Sequence, residues 1–223
     1  MRHYDEILAI AAERKGGVEA TLSHVHRPKS PEELETIPED RWLSEMARHI
    51  FQTGLSWGTV DKKWPGIEEA FHGFDVARIA HMSEDWFDDL LKDTRIIRSG
   101  AKVRAIQENA EFILRVHNER GGFAHVIATW PAETYMDLLD WLKKDGARLG
   151  GNTGAYMLRM MGRDGFMLTH DVVARLIAEG VIDKAPTSKA ARRAVQEAFN
   201  TWRAQSGETF NRISSVLAQS IDA

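Results

Sequence analysis

The chain has 223 residues, a formal net charge of −4, 43% apolar and 28% charged residues, and no cysteine. This length suffices for one domain with a substantial core, and the composition is typical of a soluble globular protein. The lack of cysteine excludes disulfides, a cysteine nucleophile and thiolate metal sites. Polar residues follow Met1, and no stretch reaches the roughly 18 apolar residues of a membrane span. We therefore expect a cytoplasmic protein.

The charge is unevenly divided along the chain. Residues 1–90 carry 10 Lys and Arg against 18 Asp and Glu, whereas residues 91–223 carry 19 against 15. Because screening limits attraction to about 8–10 Å, a polyanion responds to local charge rather than to the total. The basic half can therefore attract nucleic acid, although the same charges also suit the solvated faces of amphipathic helices.

Helical periodicity runs through the chain, and no segment alternates in the way of a strand. Capping residues, prolines and glycines mark the helix boundaries, with Ser30-Pro31 as a helix start and residues 21–28 as a loop. The predicted helices cover residues 1–14, 38–53, 65–72, 76–81, a segment capped by Ser83, 100–119, 132–144, 153–161, 171–179, 189–205 and 209–221. These elements predict an all-α bundle that forms a single domain over residues 1–223.

A glycine-rich turn lies between two of these helices. Its residues are Arg148, Leu149, Gly150, Gly151, Asn152 and Thr153. Glycines allow a tight turn and a close approach to the backbone, and the amides at the start of the 153–161 helix suit a phosphate. Five basic residues and one acidic residue lie between positions 142 and 163. The turn therefore suggests a helix-hairpin-helix that binds a phosphate, with an ordinary turn between two helices as the alternative.

A carboxylate, Asp171, follows this hairpin at the predicted start of the next helix. An aspartate in this position can simply be a helix N-cap. It can also stabilise a cationic sugar in a transition state, or orient a water molecule. The residues alone leave both interpretations open.

Three further strings are more specific. The chain reads Phe51-Gln52-Thr53-Gly54-Leu55-Ser56-Trp57, then Phe74-Asp75, then Ile96-Ile97-Arg98 followed by Asn109-Ala110. In this order and spacing, they closely resemble the type I 3-methyladenine DNA glycosylases of the helix-hairpin-helix superfamily, over about residues 45–183. The resemblance implies an all-α helical bundle of the helix-hairpin-helix DNA glycosylase type. Residues 1–44 and 184–223 would be helical extensions packed on the matched core.

The resemblance also implies a site for a flipped base. Trp57 matches the family's base-stacking tryptophan, since an extruded base stacks on an aromatic face. Gln52 and Ser56 are expected to contact the base or to cap turns. The family's base-contacting glutamate aligns with His49. Either His49 or Glu45, which lies one helical turn earlier on the same face, is expected to read the edge of the base, and a solvated charge on the helix is the alternative for Glu45.

The implied partner is damaged double-stranded DNA, and a monomer is expected. The residues expected to bind DNA are Arg148, Leu149, Gly150, Gly151, Asn152, Thr153, Arg98 and Lys102. Asp171 lies where many superfamily members carry a catalytic aspartate. No lysine follows the hairpin where bifunctional members keep a nucleophile, so the resemblance implies a monofunctional enzyme that leaves an abasic site.

This chain departs from the family in its metal site. Type I enzymes hold a structural zinc with Cys and His, whereas this chain has no cysteine and carries Asp171 at the position of the zinc histidine. We therefore expect no cofactor and no metal, and we expect the terminal helices to join by apolar packing instead.

The expected substrate is an alkylated purine, with 3-methyladenine first. His49 in place of the glutamate leaves a neutral or bulkier alkylated base as an alternative substrate. A non-catalytic DNA-binding module and a helical protein-binding adaptor are the remaining alternatives.

Overall fold

Side-chain caps and glycines set most helix boundaries in the computed structural model, which describes residues 1–25 and 27–222. Ser30 and Ser83 each accept a hydrogen bond from the amide three residues later, at the start of a helix. Gly121 and Gly207 end helices in the left-handed conformation, which a residue with a Cβ adopts at a cost. The sequence therefore determines where these helices begin and end.

The helices are α1 (Tyr4–Lys15), α2 (Val18–Leu22), α3 (Pro31–Glu35), α4 (Glu39–Gln52), α5 (Trp57–Ala70), α6 (Val76–Ala80), α7 (Glu84–Lys92), α8 (Gly100–Arg120), α9 (Phe123–Thr129), α10 (Tyr135–Asp145), α11 (Thr153–Met161), α12 (His170–Ala178), α13 (Lys189–Ser206) and α14 (Phe210–Gln219). Single turns of 3-10 helix lie at His72–Phe74 and Ala132–Thr134. The described residues contain no strand, and the all-α prediction is confirmed. No helix among them is both long and apolar enough to cross a membrane.

Several boundaries differ from the prediction. Pro65 lies inside α5 rather than at a helix start, because the helix already begins at Trp57 under the cap of Ser56. The N-cap of α12 is Thr169, whose hydroxyl accepts a hydrogen bond from the Val172 amide, so the interpretation of Asp171 as the cap is wrong. Helices α2 and α9 escaped prediction because segments of five and seven residues are too short to show a helical period.

The chain folds as two compact units. The first consists of Met1–Pro28, Pro131–Leu138 and Asp164–Ala223, and the second of Lys29–Trp130 and Leu139–Arg163. The single domain over residues 1–223 stays a prediction.

Aromatic residues form the core of the first unit. Phe166 stacks on Phe199 with their ring centroids 3.9 Å apart, and Phe210 and Trp202 meet these rings edge to face. Helix α1 packs on α13 and α14, and the Trp202 indole donates a hydrogen bond to the Arg2 carbonyl at 3.1 Å. The predicted packing of the terminal helices against each other is therefore confirmed.

A buried ion pair in the first unit is shared by both ends of the chain. The Arg175 guanidinium donates to the Glu179 carboxylate at 3.2 Å and to the hydroxyl and carbonyl of Ser220. Arg2 donates to Glu179 from its amide and from its guanidinium, both at 2.7 Å. Burial alone would raise the pKa of Glu179, but the hydrogen bonds from Arg2 and Arg175 outweigh it and lower that pKa below its usual 4.5. The carboxylate is therefore held in its ionised form.

The second unit is built around α4. Its residues Trp42, Leu43, Met46 and Ile50 are completely or almost completely buried, and the helix packs against α8 and α11. This spacing of three and four residues places all four side chains on one face of the helix. The last turn of α4 is thereby held next to the hairpin that begins α11.

We expect the Glu179 carboxylate to stabilise the protein at neutral pH and to lose this contribution in acid. Because folding lowers its pKa, the stabilisation is complete above the usual value of 4.5 and disappears as the pH falls through the lower folded value. In urea unfolding between pH 7 and pH 3, the wild-type protein should therefore lose more stability than Glu179→Gln. Equal losses for the two proteins would contradict this role.

The guanidinium side of the pair can be tested at constant pH. Arg175→Met leaves the buried carboxylate with one partner fewer, and we expect the free energy of unfolding at pH 7 to fall by about 3 kcal/mol. The exposed Arg193 on α13 provides the control, since Arg193→Met should change stability by about 0.5 kcal/mol or less.

Candidate functional site

A small cavity opens in the second unit where the end of α4 and the start of α5 meet the start of α11. Its volume is about 180 Å³. Its lining residues are His49, Gln52, Thr53, Trp57, Asn152, Thr153 and Tyr156. Residues of two sequence motifs thus line the same cavity: the string around Trp57 and the glycine-rich turn of the hairpin.

The loop between α4 and α5 is held from α8. The Lys102 ammonium donates to the carbonyls of Phe51 and Thr53, at 3.0 and 2.7 Å, where the last carbonyls of α4 lack helical partners. Burial and, to a smaller extent, the charge of Arg148 lower the pKa of Lys102. The Lys102 ammonium is thus bound to the backbone of this loop, and its expected contact with DNA stays a prediction.

Ser56 begins α5 and does not belong to the cavity lining. Its hydroxyl accepts a hydrogen bond from the Thr59 amide at 3.3 Å, which makes it the N-cap of the helix. Of the two roles expected for Ser56, the structure displays the cap. That cap orients the first turn of α5, whose first residue is Trp57.

Three rings form the aromatic side of the cavity. Trp57 meets Tyr156 edge to face with the centroids 5.2 Å apart, and it meets His49 at 5.8 Å. The rings of His49 and Tyr156 are stacked at 5.9 Å with an interplanar angle of 23°. The side chain of Trp57 is buried on one side only, since 42% of the residue is exposed, and the neighbouring Leu55 is 41% exposed. The cavity therefore has an aromatic wall that is partly open to solvent.

Polar atoms in the cavity lack partners. His49 and Gln52 are 5% and 6% exposed, and both His49 Nε2 and Gln52 Oε1 are buried without a hydrogen bond among the described residues. His49 Nε2 lies 3.0 Å from Glu45 Oε1, but the two atoms do not meet the geometry of a hydrogen bond. Glu45 itself lies outside the cavity lining and reaches the site through His49.

The hairpin between α10 and α11 is fixed by close backbone packing. Asn109 of α8 donates to the Ala147 carbonyl and accepts from the Ala147 amide, both at 2.9 Å. Gly154 has no room for a side chain, since a Cβ there would lie 2.7 Å from the Leu149 carbonyl oxygen. Gly151 adopts a φ of 60°, which favours glycine. These contacts close the predicted tight turn.

The outer side of the hairpin offers unused donors. The amides of Gly150, Gly151 and Asn152 have no acceptor in the described part of the chain, and the start of α11 adds the positive end of a helix dipole. The side chains of Arg148 and Arg98 are exposed, whereas Leu149 is buried and offers only its backbone. The arrangement suits an anion such as a phosphate.

Asp171 belongs to the other unit, as the second residue of α12. Its side chain is about half exposed, and Nδ1 of the adjacent His170 lies 3.8 Å from its Oδ1. Within residues 1–25 and 27–222, no Lys or Arg lies within ion-pair distance of it. Its carboxylate is therefore available to a ligand.

Sequence reasoning missed two residues of this site, Tyr156 and Asn109. Tyr156 lies four residues after Asn152, so helical spacing places both on the same side of α11. This spacing can be seen in the sequence and could have identified Tyr156. Asn109 was part of a recognised string, but its contact with Ala147 spans 38 residues and has no local signature.

The zinc site implied by the resemblance does not fit this chain. The chain has no cysteine, and its described residues contain no group of three His, Asp or Glu side chains placed to hold a metal ion. No step of the proposed chemistry therefore involves a metal.

Residues 38–166, more than half of the chain, match the family model described as methyladenine glycosylase. DNA-3-methyladenine glycosylase 1 of Escherichia coli (strain K12) is 39% identical over 79 residues, which are 35% of this chain and 41% of that protein. The match thus spans less than half of the length of this curated relative.

Two solved structures are similar over larger shares of the chain. A crystal structure of 3-methyladenine DNA glycosylase I is 28% identical with a TM-score of 0.50, over 61% of this chain and 81% of that one. The 8-oxoguanine glycosylase/lyase of Methanocaldococcus jannaschii, solved with DNA, has a TM-score of 0.53 over 95% of both chains. It is only 12% identical, so this likeness shows the fold alone.

We expect Asn109 to fix the hairpin. Asn109→Ala leaves the amide and carbonyl of Ala147 without partners, which should lower the free energy of unfolding by about 1–3 kcal/mol and speed hydrogen exchange at the Ala147 amide. The exposed neighbour provides the control, since Glu108→Ala should change neither quantity appreciably. Unchanged exchange at Ala147 in Asn109→Ala would contradict this role.

Proposed function

Because the chain belongs to the methyladenine glycosylase family, we propose that it is a monofunctional DNA glycosylase that releases alkylated purines, with 3-methyladenine as the first substrate. The protein would act as a monomer on damaged double-stranded DNA, flip the modified nucleotide and hydrolyse its N-glycosidic bond. The product would be an abasic site in an uncut strand.

The observation that carries this proposal is the aromatic cavity next to the hairpin, within one unit. A flipped base needs a face to stack on, and a cationic alkylated base is attracted to an electron-rich ring. The Trp57 indole and the Tyr156 ring supply such faces, and the unpartnered Gln52 Oε1 supplies an acceptor for a donor on the base edge. The exposed Leu55 is suited to fill the gap that a flipped base leaves in the stack.

The hairpin supports binding of the DNA backbone. Three adjacent amides without acceptors at the start of α11 suit one phosphate, and the exposed Arg148 and Arg98 add positive charge. Asn152 and Thr153 also line the cavity, so the same turn can hold the backbone of the nucleotide whose base enters.

Asp171 is proposed as the catalytic carboxylate. Cleavage of the N-glycosidic bond leaves positive charge on the sugar, which an ionised carboxylate stabilises while it orients the attacking water. The half-exposed side chain, with no Lys or Arg held against it in the described residues, supports this role.

We expect the purified protein to release 3-methyladenine from methylated duplex DNA above a heat-only control. Trp57→Ala removes the stacking face and should slow release about 10- to 100-fold, since one base stack contributes about 1–3 kcal/mol. Trp86→Ala, which changes a tryptophan that lines a different cavity, serves as the control. Binding of abasic duplex with no release of any alkylated purine would instead support the non-catalytic module.

We expect Asp171→Asn to slow base release by about 100-fold or more, because the neutral amide cannot balance the charge on the sugar. Binding of an abasic duplex should change little. Asp137 lies in the first turn of α10, as Asp171 does in α12, so Asp137→Asn is a matched control that should keep wild-type release. Wild-type rates in Asp171→Asn would remove the catalytic role.

A further inference from the structure

The cavity wall contains one ionisable side chain, His49, to which the proposed release of a cationic base gives no role. His49 is 5% exposed, it lines the cavity, and its Nε2 lies 3.0 Å from the Glu45 carboxylate on the preceding turn of α4. The parallel stack on Tyr156 restricts rotation of the imidazole ring. Glu45 lies beside Nε2, whereas Nδ1 has no hydrogen-bond partner among the described residues.

The pair of His49 and Glu45 has the parts of a general acid. An imidazole in a cavity wall, with a carboxylate beside one nitrogen and the second nitrogen unpartnered, is suited to proton transfer. The pair is not needed for a cationic base, which departs as a neutral molecule when its bond to the sugar breaks. An uncharged purine would depart as an anion, so its release requires a proton.

We propose that His49 is the general acid that protonates the departing base, and that the protein therefore also releases uncharged purine lesions. This inference rests on the proposed glycosylase function and extends its substrate class. The protonated His49 gives a proton to a ring nitrogen of the base while the C1′–N9 bond breaks and its electron pair stays on the base. Water adds its oxygen to C1′ and releases a proton to solvent, which later returns a proton to His49.

Glu45 is a positioning residue in this proposal. It lies outside the cavity lining and acts through the orientation of His49. The neighbouring Gln52 Oε1, buried and unpartnered in the same cavity, holds the edge of the base so that a ring nitrogen meets the imidazole. A purely structural role of Glu45 or His49 would affect every substrate equally, whereas a role in proton donation affects only uncharged bases.

The experiment measures single-turnover base release by the full-length protein on three duplexes. One carries 3-methyladenine, one carries a single hypoxanthine and one carries a single 1,N6-ethenoadenine. We expect the wild-type protein to release 3-methyladenine and at least one uncharged base. In His49→Asn, the rate for the uncharged base should fall by a factor about 100 times larger than the factor for 3-methyladenine.

Two further variants complete the design. Glu45→Gln should shift the same ratio of rates in the same direction by about tenfold, and it decides the question if His49→Asn does not fold. His125 makes a similar contact with Glu35, at 2.9 Å, but is exposed and outside the cavity lining, so His125→Asn should leave both rates unchanged.

The outcomes separate the two proposals. Release of 3-methyladenine without release of either uncharged base overturns the role of His49 and leaves the glycosylase function intact. An equal fall of both rates in His49→Asn also overturns that role, because it marks a structural contribution. Release of none of the three bases overturns the proposed function together with this inference.

Discussion

The two hydrogen bonds between Asn109 and the backbone of Ala147 are the contact on which the site depends. They attach the beginning of the hairpin to α8. Two turns earlier on the same helix, Lys102 holds the final carbonyls of α4. One helix thereby fixes both the segment that carries Gln52 and the segment that carries Tyr156. The cavity between them is preformed, so a ligand does not have to order its walls.

The sequence predicts the helices well where caps, glycines and an amphipathic period act locally, as at Ser30, Ser83 and Gly121. It also predicts most of the cavity, because Gln52 and Trp57 lie in one recognisable string. Interactions between distant segments leave no such signal. The contact of Asn109 with the hairpin is one example, and the first unit, assembled from three separate segments, is another. Pro65 differs from the prediction because α5 continues through it, with Val60, Trp64 and Ile67 buried on either side, and such packing leaves no signal at a proline in the sequence.

This chain departs from the family pattern at the zinc site and at the base-contacting glutamate, and in both places other residues make a contact of their own. The cysteines that hold the family's structural zinc are absent from this chain, and Arg2 and Ser220 here meet at the buried pair of Arg175 and Glu179. The family pattern also has a glutamate that contacts the flipped base. Here His49 lines the cavity, and Glu45 lies next to it on the preceding turn of α4. A lone carboxylate can only accept hydrogen bonds, whereas the pair can also deliver a proton.

The assembly of the first unit has a consequence for synthesis on the ribosome. Helix α1 packs on its immediate neighbour α2 and also on α13 and α14, which are synthesised nearly two hundred residues after it. At about 5–20 residues per second, the part of α1 that packs on α13 and α14 waits roughly 10–40 seconds for these partners. During that interval the second unit can complete its fold, since its residues end at Arg163. The part of α1 that packs on α13 and α14 is therefore open to non-native contacts for longer than the core of the second unit.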